Sequence, residues 1–356
     1  MFVALRDLRH AKGRFLLIGS VVALITLLVG FLSGLTGGLA SQNISAVLDM
    51  PGSTIVFSKP STGDKPSFSD SAVTPKMADS WRDASGTSSV QPIGISQSRL
   101  QHGDTKAAAA AFGVESGYAP DAPKTDGSIS LSSTLAKDLG VSTGDTVTLA
   151  KKDYTVAEIS GDRWYSHTPV MLMTLKDWQG YAQRTGAEDP YATVLAVDNS
   201  TKDTTTVQKD TDTIAASHLG SLTALEAFRS EIGSLGLMVA LLFGISALVI
   251  GAFFTVWTMQ RTADIAVLKA LGATTRSLLV DSLGQALVVL VGGIGIGIAV
   301  VVGLGMLAQG ALPFLLSPLT TVLPAAIMTA LGLLGAAFAL RSVTSADPLT
   351  ALGSAR

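Results

Sequence analysis

The side chains able to do chemistry are few in this sequence, and most stand alone. The four histidines, His10, His102, His167 and His218, have no metal-ligand spacing, and there is no cysteine. Thiolate zinc sites, cysteine-ligated iron–sulfur clusters, disulfides and cysteine nucleophiles are therefore excluded. The chain has no Gly-x4-Gly-Lys-Ser/Thr phosphate loop, the element whose backbone N–H groups cradle nucleotide phosphates. No Ser/His/Asp arrangement suggests itself either. The reading is of a chain that is not itself an enzyme, with no intrinsic cofactor and no nucleic-acid partner.

Two charged constellations remain. The stretch Leu222–Ile232 brings Glu226, Phe228, Arg229 and Glu231 together just before a long apolar run. Carboxylates, a ring and a guanidinium at a membrane edge suit an amphipathic ligand that enters from the outer leaflet. Glu226 and Glu231, five residues apart, point about 140° away from each other on a helix, so only one of them is expected to be a ligand, with Glu226 favoured. The second constellation is Gln260–Gly272, with complete helix signals: Thr262 to cap, Asp264 at the positive end, Lys269 at the negative end and Gly272 to stop. Its apolar residues Ile265, Leu268 and Leu271 predict a helix that docks into a groove of a cytoplasmic partner.

The composition says what must position these groups. Of 356 residues, 47% are hydrophobic and only 15% are charged, against roughly 25% charged in an ordinary soluble protein. A spanning helix needs about 20 apolar residues. Phe15 to Val47 carries no charge; a second run lies between Glu231 and Arg261; Ser282 to Leu340 has 59 uncharged residues, enough for two more spans. The first run is too long for the apolar core of a signal peptide and reads as a retained span. Pro313, Pro318 and Pro324 place a short outer loop inside the last run.

Orientation follows the basic residues. Nine Lys/Arg lie in the two tails and the 260–280 loop, whereas residues 41–231 keep 16 basic and 23 acidic side chains. Both termini are therefore expected in the cytoplasm and the large segment between spans one and two outside. That segment has short β-rich runs at Thr54–Phe57, Thr146–Leu149, Tyr154–Ala157, Val170–Met173 and Thr193–Val197. Helical patterns occur at Leu131–Leu139, Leu175–Tyr181 and Val207–His218. Without regular βαβ alternation, these predict an α+β domain. In the first helical pattern Leu131, Leu135 and Leu139 line one face and Gly140 ends it.

The expected fold is a polytopic α-helical membrane protein with four transmembrane helices and a large extracytoplasmic α+β domain between helices one and two. The expected divisions are an elbow helix 1–14, spans 15–47, 226–260, 278–308 and 320–341, the outer domain 48–225, the coupling helix 261–277, an outer loop 309–319 and a cytoplasmic tail 342–356. Glycines recur at four-residue spacing, at Gly30, Gly34 and Gly38 and again at Gly293 and Gly297. Such surfaces let helices approach closely, either within the chain or across a dimer seam.

Three stretches carry a resemblance. Arg261-Thr-Ala-Asp-Ile-Ala-Val-Leu-Lys-Ala-Leu-Gly-Ala273 resembles the pattern R-x-x-E/D-I-x-x-L-R/K-A-L-G-A of ABC-transporter permeases of the MacB/FtsX type. The start, Ala4 to Arg14, resembles that family's elbow helix, and Asp347-Pro-Leu-Thr-Ala-Leu352 its tail. The resemblance implies a homodimer in the cell membrane, working with two copies of a separate cytoplasmic ATPase. It makes Asp264, Ile265, Leu268, Lys269, Leu271 and Gly272 the coupling residues, and Gly30, Gly34 and Gly38 part of the dimer or helix packing. Within the family the compact layout looks most like the haem-exporter permeases of Gram-positive bacteria. That implies haem as the transported ligand, with Glu226 on the iron, Arg229 on a propionate and Phe228 on the ring, and no other metal. Peptide or drug export, and activation of a cell-wall hydrolase without transport, are the alternatives.

Overall fold

The computed structural model describes residues 12–60, 65–200, 204–260, 267, 272, 274–308 and 311–344. They form two compact units, one drawn from Met1–Leu39 and Ser234–Arg356, the other spanning Ala40–Gly233.

Four helices are long and apolar enough to cross a membrane: α1 (Lys12–Leu48), α7 (Glu226–Gln260), α8 (Thr275–Ala308) and α9 (Pro318–Thr344). α7 has the bounds expected. α8 begins at Thr275, so 275–277 belong to the spanning helix rather than to the coupling helix expected over 261–277. α9 begins at Pro318, where a proline loses no helix bond because the first-turn N–H groups have no partner anyway. Pro318, expected in the loop 309–319, thus opens the helix, and Pro324 lies inside it, within the span expected over 320–341.

The membrane unit is held by apolar side chains from all four helices, among them Val22, Val29, Phe254, Trp257, Leu290, Ile294 and Met328. With no hydrophobic drive between helices in lipid, close contact must come from small residues. Gly30, Gly34 and Gly38 are packed inside the chain. A Cβ at Gly30 would lie 2.9 Å from Val301, one at Gly34 2.3 Å from the Phe314 ring, and one at Gly38 1.9 Å from the Pro313 carbonyl oxygen. The Leu315 N–H also donates to the Gly34 carbonyl at 3.0 Å. Gly293 and Gly297 of α8 receive Val22 and Thr26 of α1 in the same way. Two hydroxyls buried in this unit bond back to their own helices, Thr26 to the Val22 carbonyl (2.8 Å) and Thr258 to that of Phe254 (2.6 Å). Hydrocarbon offers no other partner.

The outer unit is a ten-stranded mixed sheet. In chain order come β1 (Thr54–Ser58), α2 (Pro75–Asp83), β2 (Thr87–His102), β3 (Thr105–Val114), β4 (Ser128–Ser132), α3 (Ser133–Leu139), β5 (Thr146–Leu149), β6 (Lys152–Ser160), β7 (Trp164–Tyr165) and β8 (Thr168–Thr174). Then follow α4 (Leu175–Arg184), β9 (Val194–Asn199), α5 (Thr205–Thr211), β10 (Thr213–Ser217) and α6 (His218–Ser221). The strands β2-β3-β8-β4-β6-β5 close on themselves, because β5 returns to β2 at Leu100↔Leu149 and Gln101↔Thr148. The first half of β2 leaves this ring and pairs with β9, and β1 and β10 extend the sheet beyond it.

The five β-rich runs are all strands, and Gly140 ends α3 in the left-handed conformation (φ +67°). Two helical expectations are corrected. Leu131 belongs to β4, so the helix starts two residues later than its pattern. Of Val207–His218 only Val207–Thr211 and the last residue, which opens α6, are helical. Asp212 at φ +50° stops α5, and Thr213–Ser217 then pairs antiparallel with β1.

Candidate functional site

The charged cluster at the start of α7 is sorted by helix geometry. At roughly 100° per residue, Glu226 and Arg229 share one face and Phe228 and Glu231 another. Glu226 and Arg229 are exposed. Phe228 is half-buried and packs against the core formed by Val47, Met50, Ile55, Phe57 and Phe112. Its ring is therefore engaged with the protein, not presented for stacking on a ligand.

Glu231 is engaged as well. Its Oε2 accepts a hydrogen bond from Asn43 Nδ2 at 2.9 Å and lies 3.0 Å from His167 Nε2. The two nitrogens are themselves 3.4 Å apart. His167 reaches this point because Ser166 and His167 form the two-residue turn between β7 and β8, both with positive φ (+47° and +62°). That is the geometry that fits the right-handed twist of a hairpin. The turn is fastened to the end of α1: the Ser166 N–H donates to the Asn43 carbonyl (3.0 Å) and the His167 N–H to that of Gln42 (2.9 Å). The Trp164 N–H donates to Ser45 Oγ at 2.9 Å.

Beside the hairpin, Arg163 makes a two-pronged contact with Asp121 at 2.6 and 2.8 Å and reaches Asp49 at 3.4 Å. The guanidinium holds the Asp121 carboxyl below its ordinary range, as a paired cation does. Burial pushes the Tyr118 hydroxyl well above its usual value. This second cluster anchors the strand before the hairpin to the end of α1.

Sequence reasoning singled out the four α7 residues and set Glu226 and Glu231 on different faces, but it placed Phe228 against a ligand where the structure packs it into the core. It also left out Asn43 and His167, whose nearness to Glu231 spans 188 and 64 positions of chain. Beside Gly30, Gly34 and Gly38 the space is filled by Val301, Phe314 and Pro313, which leaves no room there for a flat ring. A larger space, about 870 Å³, runs between α1 and α8 over Gly19, Gly292, Gly293 and Gly297. Its walls, such as Leu24, Leu27, Val288 and Ile296, are hydrocarbon, so it has shape but no group to hold iron. Of the coupling residues, Asp264, Ile265, Leu268, Lys269 and Leu271 lie outside the described residues, as do 1–11 and 345–356. Gly272 is described and has φ +94°, the conformation a helix-ending glycine supplies.

Residues 236–348 match the family described as FtsX-like permease, C-terminal. The chain is 27% identical, over 99% of both sequences, to a Staphylococcus haemolyticus protein named for the permease of a hemin transport system, HrtB. A Staphylococcus epidermidis protein of the same name is 25% identical, again over 99% of each. An ABC transporter permease of Mycobacterium bovis, named as uncharacterised, is 25% identical over 99% of each. Among solved structures, the periplasmic region of MacB from Actinobacillus actinomycetemcomitans is similar, with a TM-score of 0.37 and 15% identity over 52% of this chain and 97% of that one.

Proposed function

We propose, from the premise that this multi-pass membrane protein carries an FtsX-like permease domain and is the permease subunit of an ABC transporter, that it exports haem. The supporting observation is similarity along 99% of both chains to permeases named for hemin transport. The ATP is hydrolysed by a separate ATPase subunit, two copies of which serve a dimer of this chain.

Haem is flat and apolar with two propionates, so it collects in lipid and is best taken sideways from the outer leaflet. Glu226 and Arg229 form the exposed charged face of the α7 start. In a dimer with its axis alongside α7, two Glu226 carboxylates ligate the iron from opposite sides. Arg229 meets a propionate by charge-assisted hydrogen bonds, stronger than neutral ones. Glu231 is already shared by Asn43 and His167 and is the less available carboxylate. Replacing Glu226 with Ala should change the Soret band of the haem-loaded complex and lower the haem resistance of cells. An unchanged spectrum together with unchanged resistance removes Glu226 as the ligand.

The charge asymmetry of the sequence makes the outer unit extracytoplasmic and both termini cytoplasmic. Because the chain has no cysteine, single cysteines report cleanly. Cysteines at Ser67 and Ser200 should react with an impermeant maleimide in intact cells, and one at Thr274 should not. Equal labelling at all three positions overturns the orientation.

A further inference from the structure

We infer that Asn43 and His167, acting through Glu231, fix the rotation of α7 and so are positioning residues for the haem site; the inference rests on the export reading given above. It starts from the helix itself. Residues 232–260 carry no charged side chain. A span that is apolar all round has no preferred rotation in lipid, so its setting comes from packing and from anchors at the membrane edge. At the start of α7 two pairs of side chains lie on opposite sides. At roughly 100° per residue, the centre of the Phe228–Glu231 face is about 160° from that of the Glu226–Arg229 face. Whatever holds the first pair inward aims the second pair outward.

The hold is directional. Phe228 supplies an apolar seat, half-buried against the core, but apolar contact has no direction and tolerates small turns. Glu231 supplies the direction. Its Oε2 accepts from Asn43 Nδ2 at 2.9 Å and lies 3.0 Å from His167 Nε2. Both partners belong to a frame that does not depend on α7. Asn43 is fully buried, and the N–H groups of Ser166 and His167 bond to the Asn43 and Gln42 carbonyls, which holds the imidazole beside the amide.

A helix turned by one residue would offer this frame the hydroxyl of Ser230 or the alkyl chain of Ile232 in place of the carboxylate. It would also carry Glu226 and Arg229 about 100° away from the side on which they are now exposed. Leaving a buried donor without its acceptor is the costly state, so the three side chains select one rotation. Asn43 and His167 act on haem only through that setting.

The full-length protein in detergent, titrated with haem, gives the test. Glu231→Leu removes the acceptor but keeps the bulk; it should weaken haem binding about tenfold, the usual loss when a supporting partner of a ligand is removed, and alter the Soret band. In the haem-free protein it should speed hydrogen exchange over residues 226–233. His167→Gly, which tolerates the positive φ and leaves α7 unchanged in sequence, should act in the same direction. Glu231→Gln, which still offers Asn43 an oxygen, should bind haem as the parent does. Equal loss of haem in the Gln and Leu variants makes Glu231 itself a ligand and overturns the proposal. So does faster exchange with unchanged haem affinity, which leaves the three residues a purely structural cluster, and so does unchanged exchange in both Glu231→Leu and His167→Gly. An unchanged Soret band in Glu226→Ala instead strikes the haem reading, and the exchange rates then still decide whether the cluster sets α7.

Discussion

Replacing Leu268 or Leu271 with Asp is expected to leave the chain inserted in the membrane but separated from its ATPase. The expectation rests on the spacing of Ile265, Leu268 and Leu271 between a capping Thr262 and a terminal Gly272. That pattern predicts a short helix with one greasy face and no bilayer-length run to bury it. A carboxylate placed in the apolar groove that receives such a face has no counter-charge, and burying it costs several kcal/mol. At 1.4 kcal/mol per tenfold, the complex weakens by roughly a hundredfold or more. Affinity purification through the permease should then recover no ATPase, and ATP hydrolysis in membranes should lose its stimulation. Lys269→Ala, which removes only a helix-end charge worth about 0.3–1 kcal/mol, should have a small effect by comparison. Full co-purification of the Leu268→Asp protein with normal stimulated hydrolysis would falsify the docking role.

The second large effect is expected in the outer unit, where Gly113→Ala should unseat α4. Gly94 and Gly113 face each other across β2 and β3, and the side chain of Trp178 lies over both. A Cβ on Gly113 would fall 2.2 Å from the Cβ of Trp178, and one on Gly94 2.1 Å from its indole. The first clash is the harder to relieve, because the Trp178 Cβ moves only with the backbone of α4. Overpacking a core commonly costs about 1–3 kcal/mol, and a clash against an atom bound to backbone belongs at the top of that range or above. Trp178 also donates from Nε1 to Ser96 Oγ at 3.0 Å, a bond that any shift of α4 breaks. Thermal unfolding of the purified protein and protease sensitivity of the outer unit report the loss. Trp178→Ala alone should cost about 3–5 kcal/mol. Because that variant keeps the Cβ at position 178, Gly113→Ala should still cost on it, whereas adding Gly94→Ala should cost little more, since the indole atoms that a Cβ there would strike are then gone. If Trp178→Ala and Gly94→Ala instead add fully, the clash with the indole is not the cause.

Much of the architecture was legible because its cause is local. A hydrocarbon layer about 30 Å thick demands about 20 apolar residues in a row, and such runs are visible without knowing anything of their neighbours. The same holds for Gly140, whose left-handed backbone ends α3 by itself, and for the β-rich runs that became β1, β5 and β8. The long β2–β3 pair was not legible. Ala107–Ala111 is a run of the best helix former, yet it is a strand. Ala109, Ala110 and Ala111 are fully buried, in a core that also holds α4 against the strand's Gly113. Pairing with β2 and β8 on either side outweighs a few tenths of a kcal/mol of propensity per residue.

The candidate site divides in the same way. That Glu226, Phe228, Arg229 and Glu231 would stand together at the edge of a span followed from their order in the chain. Which of them turn outward did not, because the choice depends on a hydrophobic core built from β1, β3 and the end of α1, into which Phe228 fits. The clustering of Asn43, His167 and Glu231 depends on a hairpin turn that meets the ends of two helices lying far apart in sequence. Chain order determined the spans, the placing of the outer domain and the charged edge. Tertiary packing alone decided which charged groups are free and which already hold one another, since contact between distant segments leaves no periodic trace in any one of them.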